Sequence, residues 1–559
     1  MKSYLFIILI PVSFLLFSQC ENALDKQDLG SVNEADVWRD AKLATAYVNK
    51  IYADNLPTWD AQLASYSDES PGGGDILYGQ LTVNSIDHWP YPQIRNINIL
   101  LENIEGGTLD QNTKDLLKGQ AYFFRALRYF EMVRLYGGVP LILKPQQLTE
   151  DLLVERASTS ACIASIIADL DEAAQLLPDT WSGNDIGRLT KGAALALKGR
   201  VLLYWASPQF NPNGESTRWQ TALEANETAL EYLITNGYGL YEDFENIWFD
   251  EMNKEVIFVN RYQEPGRVHN WDAATRPLSE AQNATGANQP TLELVTSFPM
   301  KDGIPVSQSS DYNPQKYWLN RDPRFYSTIA YNGVLWELSG KSGRKQWHYT
   351  GAESQYPTQT GFYCRKAINT SYTPYFTERS STDWIEIRFA EVMLNYAEAA
   401  AETGNTDEAY QMLKEIRNRA GIDPGANELY GLTAQMDKNQ MLDAITLERK
   451  IEFAFEGKRY WDLRRRRLFD EELNGKTRTG ILIQLNIPDE QFLQIRDNIN
   501  IDEDYGTYMR DSVVVLDRVF PINFRENYYF YAIPQSHLQL NSNLKQTNGW
   551  DDGTFNPLD

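Results

Sequence analysis

The stretch "WIEIRFAEVMLNYAEAAAETGNTDEAYQMLKEIRNRAG", residues 384–421, is the one on which the fold turns. Its apolar residues recur at three- and four-residue intervals on both sides of the polar turn "TGNT", residues 403–406. That is the spacing of two amphipathic helices, not of strands. Thr406 stands where a side-chain oxygen can cap the second helix. Ala397 and Ala409 lie twelve residues apart, small side chains where two helices folded back on each other have to touch.

The pattern recurs along the chain. In "KDLLKGQAYFFRALRYFEMVRLYGGVPLI", residues 114–142, one broad stripe carries Leu117, Tyr122, Phe123, Ala126, Leu127, Phe130 and Val133. Gly137, Gly138 and Pro140 then stop the helix. "TKGAALALKGRVLLYWA", residues 190–206, begins at Thr190 as its cap, and its Ala and Gly residues let another helix approach closely. "KNQMLDAITLERKIEFAFEGKRYWDLRRR", residues 438–466, reads as one further long helix. Paired helices with small residues at the contact are the pattern of tetratricopeptide repeats. By contrast, residues 55–90 and 261–380 are rich in turn formers and aromatic residues, with little helical period. The second is too long for a structureless loop in a compact domain, so short strands and turns packed on the helices are expected. The fold class is mainly α: a scaffold of helix pairs with a loop-rich, irregular region. The scaffold is expected over about 30–55, 90–240 and 384–470, with 471–559 closing on it.

Charge and cysteine usage exclude several functions. A net charge of −24 argues against nucleic-acid binding. Three cysteines exclude a disulfide scaffold, and Cys162, on an apolar helical face, reads as a buried thiol. The histidines at 88, 269, 348 and 537 lack metal-ligand spacing, and no cofactor is expected. "LSGKSG", residues 338–343, lacks the glycine of a phosphate loop at position 335, which holds Leu335. "RRRR", residues 464–467, reads as a helix end that pairs with acids such as Glu471 and Glu472. Glu448, Glu452 and Glu456 form an acidic stripe that Arg449, Lys450 or the basic residues of another helix must neutralise. No nucleophile elbow or Cys/His pair supports catalysis.

The N-terminus has the layout of an export signal: Lys2, then an apolar run from Leu5 to Phe17 that is too short to span a bilayer. With Cys20 following, residues 1–19 resemble a lipoprotein signal peptide, which implies lipidation at Cys20. From there the chain resembles the SusD/RagB family over essentially its whole length, residues 20–559. The matching pieces, in order, are Cys20 with "ENALD", "SDE" at 67–69, "RALRYFEMVRLYGGVPLI", "GRLTKGAALALKGRVLLYWA", "RDPRFYSTI", "IRFAEVMLNYAEA", "LERKIEFAFEGKRYWDLRR" and "YAIPQSHLQLNSNLKQTNGW". The resemblance implies about four tetratricopeptide-like helix pairs carrying an irregular ligand-binding face. It also implies a lipid anchor in the outer membrane, exposure at the cell surface, and delivery of an oligosaccharide or polysaccharide to a TonB-dependent SusC-like barrel.

A sugar presents an apolar C–H face and a rim of hydroxyls, which aromatic rings and polar side chains complement. With 12% aromatic residues, the loop-rich segments offer Asp68 and Tyr78 beside a glycine run, then Asn270 and Trp271. Further along they offer Tyr312, Tyr317 and Trp318, and finally Trp336, Trp347 and Tyr349. These are the expected ligand residues; Trp89, at a helix start, reads as packing. Two alternatives remain open at this point: a helical-repeat protein taking a peptide or protein ligand for the same kind of transporter, or a glycoside hydrolase, whose two carboxylates cannot be picked out among 76 acidic residues.

Overall fold

A computed structural model of the protein describes residues 34–60, 62–352 and 358–559. The signal segment and Cys20 lie outside the described residues. The molecule is mainly α-helical. The scaffold helices are α1 (Ala41–Asn55), α2 (Tyr91–Asn103), α3 (Gln111–Tyr136), α4 (Thr159–Leu176), α5 (Lys191–Ala206) and α6 (Ser216–Thr235). They continue with α7 (Phe389–Glu402), α8 (Thr406–Arg419), α9 (Lys438–Glu452) and α10 (Arg459–Arg465). Helices α3–α4, α5–α6 and α7–α8 form successive hairpins, with α4 packed on α5, α6 on α7, and α1 and α2 on α3. Among the described residues no helix is long and apolar enough to cross a membrane.

Local chemistry sets the helix ends. Asp110 caps α3 by accepting from the Thr113 amide at 3.0 Å. The helix ends at Gly137, whose φ of 76° and approach to Pro557 leave no room for a side chain. Thr190 caps α5 as its sequence implies, accepting from the Ala193 amide. The close approach expected of α5 is present: a Cβ on Gly199 would fall 2.4 Å from Asn226 Oδ1 on α6. Asn226 uses that proximity to donate to the Gly199 carbonyl at 3.1 Å.

The decisive stretch departs from its reading in three ways. Residues 384–388 form a strand, not the first helical turn; β1 (Val256–Asn260) and β2 (Trp384–Arg388) pair antiparallel. Helix α7 is buried on every side from Phe389 to Ala401, because α5, α6, α8 and α9 surround it. Its polar residues are therefore paired: Glu391 with Arg200 at 2.7 Å, Asn395 with Arg449 at 2.8 Å, and Glu398 with Arg465 at 2.6 Å. Finally, Thr406 is the first residue of α8, and its neighbour Asn405 takes the cap position without a side-chain bond.

The expected long helix over 438–466 is two helices. The chain breaks at Phe455 and Gly457, which have φ of 62° and 68°, and α10 starts at Arg459. The arginine run does close a helix, but its partners are not Glu471 and Glu472. Arg464 and Arg465 are wholly buried. Arg464 donates to the Tyr529 carbonyl, Arg465 pairs with Glu398 and Asp462, and Arg467 pairs with Glu526.

Two hydrophobic cores result. The first fills the helical stack. The second gathers the loop-rich segments around Trp271, Trp318, Phe325, Trp336 and Phe362, and borrows Ile451 from the end of α9 and Phe455 from just beyond it. The loop-rich lobe contains two-residue ladders, Ile329–Ala330 with Tyr363–Cys364 and Val334–Leu335 with Lys345–Gln346. The hairpin of β3 (Thr479–Leu485) and β4 (Met509–Val515) adds to it.

The Glu448–Glu452–Glu456 stripe lies between the cores. Arg324, Arg388, Arg417 and Lys366 neutralise it at 2.5–2.8 Å, and Arg419 pairs with Glu452. These cations come from loops and from β2 as well as from another helix. Arg449 and Lys450 point elsewhere, to Asp462 and Asp68.

The end of the chain is stitched onto the scaffold's first hairpin. The Ser160 amide donates to the Asp559 carbonyl at 3.1 Å, and Thr159 Oγ1 to the Pro557 carbonyl at 2.8 Å. The Arg156 guanidinium lies 3.5 Å over the Phe555 ring.

Candidate ligand-binding face

The sequence-derived site residues divide by burial. Trp271, Tyr317, Trp318, Trp336, Trp347 and Tyr349 are all at most 5% exposed. Their faces are already covered, which corrects the expectation that they form a ring platform. Trp318 stacks on Tyr331 at 5.5 Å and donates Nε1 to Asp502. Trp271 packs 4.5 Å from Trp59 and donates to the Lys366 carbonyl. Trp347 and Tyr349 both meet the edge of Phe492 at 5.1 Å.

Asp68 is also buried. It takes a two-pronged bond from Arg459 at 2.9 and 3.0 Å and a third contact from Lys450 at 2.8 Å. Burial alone would raise its carboxyl pKa, but Arg459 and Lys450 overcome that and hold it well below the ordinary range. The other residues reach the surface in separate places. Tyr78 is half-buried and donates to Asp517 at 2.8 Å. Tyr312 is half-buried under Arg321, and Asn270 is exposed at the start of a short helix. Trp89 packs on Tyr136 and stacks on His537 at 4.9 Å, as read.

The thiols are inert by placement. Cys162 lies in the first core and Cys364 in the second, both free. Burial pushes them up to about 11 and about 12.

An accessible aromatic pair does exist, in a segment the sequence reading passed over. Tyr375 and Phe376 are 64% and 45% exposed, with rings 5.2 Å apart and nearly perpendicular. They sit on the turn Pro374–Arg379, which packs against the short helix Trp271–Thr275. The Gln282 amide donates to the Pro374 carbonyl at 3.1 Å, and buried Arg276 donates to the Tyr372 carbonyl at 2.7 Å. The signal in "SYTPYFTERS" is two adjacent rings after a proline, among polar residues and outside any helical stripe.

Two residues before Gln282, Glu280 lines a cleft of about 500 Å3. Lys341, Arg344, Gln346, Trp347, Arg496 and Asp497 also line it. Glu280 organises the cleft: it accepts from Ser339 at 2.6 Å, Lys341 at 2.7 Å and Arg344 at 3.1 Å. Burial would raise its pKa, but Lys341, Ser339 and Arg344 lower it overall, so Glu280 holds its charge. The result is a polar cleft, rich in donors and acceptors, with an exposed ring pair joined to it through residues 280–282. Such a surface can hold hydroxyls and cover a C–H face.

The SusD family model matches residues 254–550, and a second model, described as starch-binding associating with outer membrane, matches residues 28–203. A SusD-like protein of Formosa agariphila, P38, is 25% identical over 505 residues, covering 86% of this chain and 95% of its own length. Among solved structures, a SusD-like protein from Bacteroides fragilis superposes with a TM-score of 0.76 at 27% identity, covering 93% of this chain and 99% of the other. A laminarin-binding SusD-like protein shares the fold at 20% identity, with a TM-score of 0.60, covering 91% of this chain and 99% of the other.

Proposed function

Because this chain belongs to the SusD family, we propose that it is a cell-surface glycan receptor that captures an oligosaccharide or polysaccharide and passes it to a TonB-dependent SusC-like barrel in the outer membrane. The observation that carries the glycan part is the exposed Tyr375–Phe376 pair on the turn bonded to Gln282, two residues from Glu280 in the polar cleft. Rings stack on the C–H faces of the sugar, and Lys341, Arg344, Gln346 and Asp497 exchange hydrogen bonds with its hydroxyls. The match to a starch-binding family associating with outer membrane and the likeness to a laminarin-binding SusD-like protein support this reading. The protein acts by binding, without bond cleavage. A lipid on Cys20 keeps it at the membrane, and the helical stack offers the barrel a rigid docking body.

Native affinity electrophoresis of the mature protein through gels containing starch, laminarin or other polysaccharides tests the proposal. Retardation in at least one gel, with no reducing ends released on incubation, is the expected result. Uniform mobility across a broad polysaccharide panel would overturn the glycan reading, and released reducing ends would overturn the non-catalytic one.

A further inference from the structure

A second cavity, of about 450 Å3, lies between the helical stack and the loop-rich lobe. That volume falls within the range of small-molecule sites, roughly 300–1,000 Å3. Its wall is built from residues 56–60, α3, α5, β2, α7, α9, the turn into α10 and the start of that helix. None of its residues belongs to the Glu280 cleft.

The wall is densely charged, and nearly all of its cations are committed. Arg128 pairs with Glu131 at 2.7 Å, Arg200 with Glu386 at 2.6 Å and Glu391 at 2.7 Å, Lys458 with Glu391 at 3.3 Å, and Arg449 with Asp462 at 2.8 Å. Arg134 is the exception. Among the described residues no carboxylate lies within 4.0 Å of it, and its enclosed Nε has no hydrogen-bond partner. Glu131, one turn earlier, is taken by Arg128 and His88. The Arg134 guanidinium carbon lies 3.7 Å over the centroid of the Trp461 ring, which holds the group at the cavity wall. Burial lowers its pKa, an effect that Tyr204, Glu131 and Glu386 only partly offset. A guanidinium held there without a direct ion pair is costly. A ligand oxyanion relieves that cost through two parallel N–H···O bonds.

Glu386 and Glu391 line the same cavity. An ionised carboxylate only accepts hydrogen bonds, and the two carboxylates together have more lone pairs than Arg200, Lys458 and the Trp384 indole N–H use. A ligand that suits both sides must carry one acid group and several O–H donors. We propose that this cavity binds a polyhydroxylated carboxylic acid of monosaccharide size, such as a hexuronic acid, with its carboxylate on Arg134 and its hydroxyls donating to Glu386 and Glu391. The inference does not depend on the glycan reading of the Tyr375–Phe376 face.

Titration calorimetry with glucuronate, glucose and inorganic phosphate on the mature protein tests it. Glucuronate should bind saturably, glucose at least tenfold more weakly, and phosphate should not displace glucuronate at equal concentration. Arg134→Gln should weaken glucuronate at least tenfold, and Arg134→Lys, which keeps the charge but loses the fork, by an intermediate factor. Equal binding of glucose and glucuronate, or unchanged affinity in a folded Arg134→Gln protein, would overturn the proposal. Displacement by phosphate would overturn the carboxylate assignment. Should both variants fail to fold, the glucose and phosphate comparisons on the wild-type protein decide. Polysaccharide-gel retardation of the same preparation separates the two sites, since either can fail while the other stands.

Discussion

Trp336 and Tyr375 belong to one loop-rich stretch, and their surroundings give them opposite tasks. Trp336 is 2% exposed within the second core. Trp336→Ala should cost about 3–5 kcal/mol, because a cavity replaces the ring, and thermal denaturation should show a clearly lowered midpoint. The double change Tyr375→Ala, Phe376→Ala removes rings that solvent already reaches. Stability should move by less than about 1 kcal/mol, while retardation in a polysaccharide gel is lost.

Glu69 makes a third case. Burial, partly offset by the Phe455 amide and reinforced by Asp68, pushes its carboxyl up to about 7. Between its ordinary value of 4.5 and about 7 the folded protein holds a proton that the unfolded chain releases. Stability contributed by that proton is present below pH 4.5 and is lost as pH rises through this window. Glu69→Gln should remove that part of the slope, on the order of 2–3 kcal/mol between pH 5 and 8, measured by urea denaturation at each pH.

At the scale of elements, the helices were legible and the second core was not. The period of α3, the Thr190 cap and the small face of α5 are local properties, and each recurs in the structure. The breaks at Phe455 and before Phe389 were not legible, because they answer to distant partners. Strand β2 exists because β1 pairs with it, and α9 ends where Phe455 turns into the second core. The loop aromatics were misjudged for the same reason. Trp318 is covered by Tyr331 and Tyr505, and Trp271 by Trp59, contacts that no sequence window contains.

The acidic stripe Glu448–Glu452–Glu456, on α9 and just past its end, needs neutralisation, and meeting that need binds the elements together. Arg388 on β2 reaches Glu255, Glu452 and Glu456 at once. Arg388→Ala leaves three buried carboxylates short of a partner and should cost at least about 3–5 kcal/mol. Full retention of the wild-type denaturation midpoint would show that the network contributes nothing net.

Over the whole molecule, the two cores share residues of α9 and the ion network between them, so the loop-rich lobe is fixed to the helical stack. Sequence distance is spanned repeatedly: Asp68 meets Arg459, Arg478 donates to the Ser67 and Ser70 carbonyls, and Arg156 covers Phe555. Phe555→Ala should lower stability by about 1–3 kcal/mol through lost packing and the lost cation–π contact, read as a shift of the urea midpoint. The stitched tail has a temporal consequence. Residues 545–559 tie down the connection between α3 and α4 through Arg156, Thr159 and Ser160, contacts that span most of the described sequence. Long-range closure of this kind is slow, so this seam is expected among the last contacts to form when the unfolded chain is returned to native conditions.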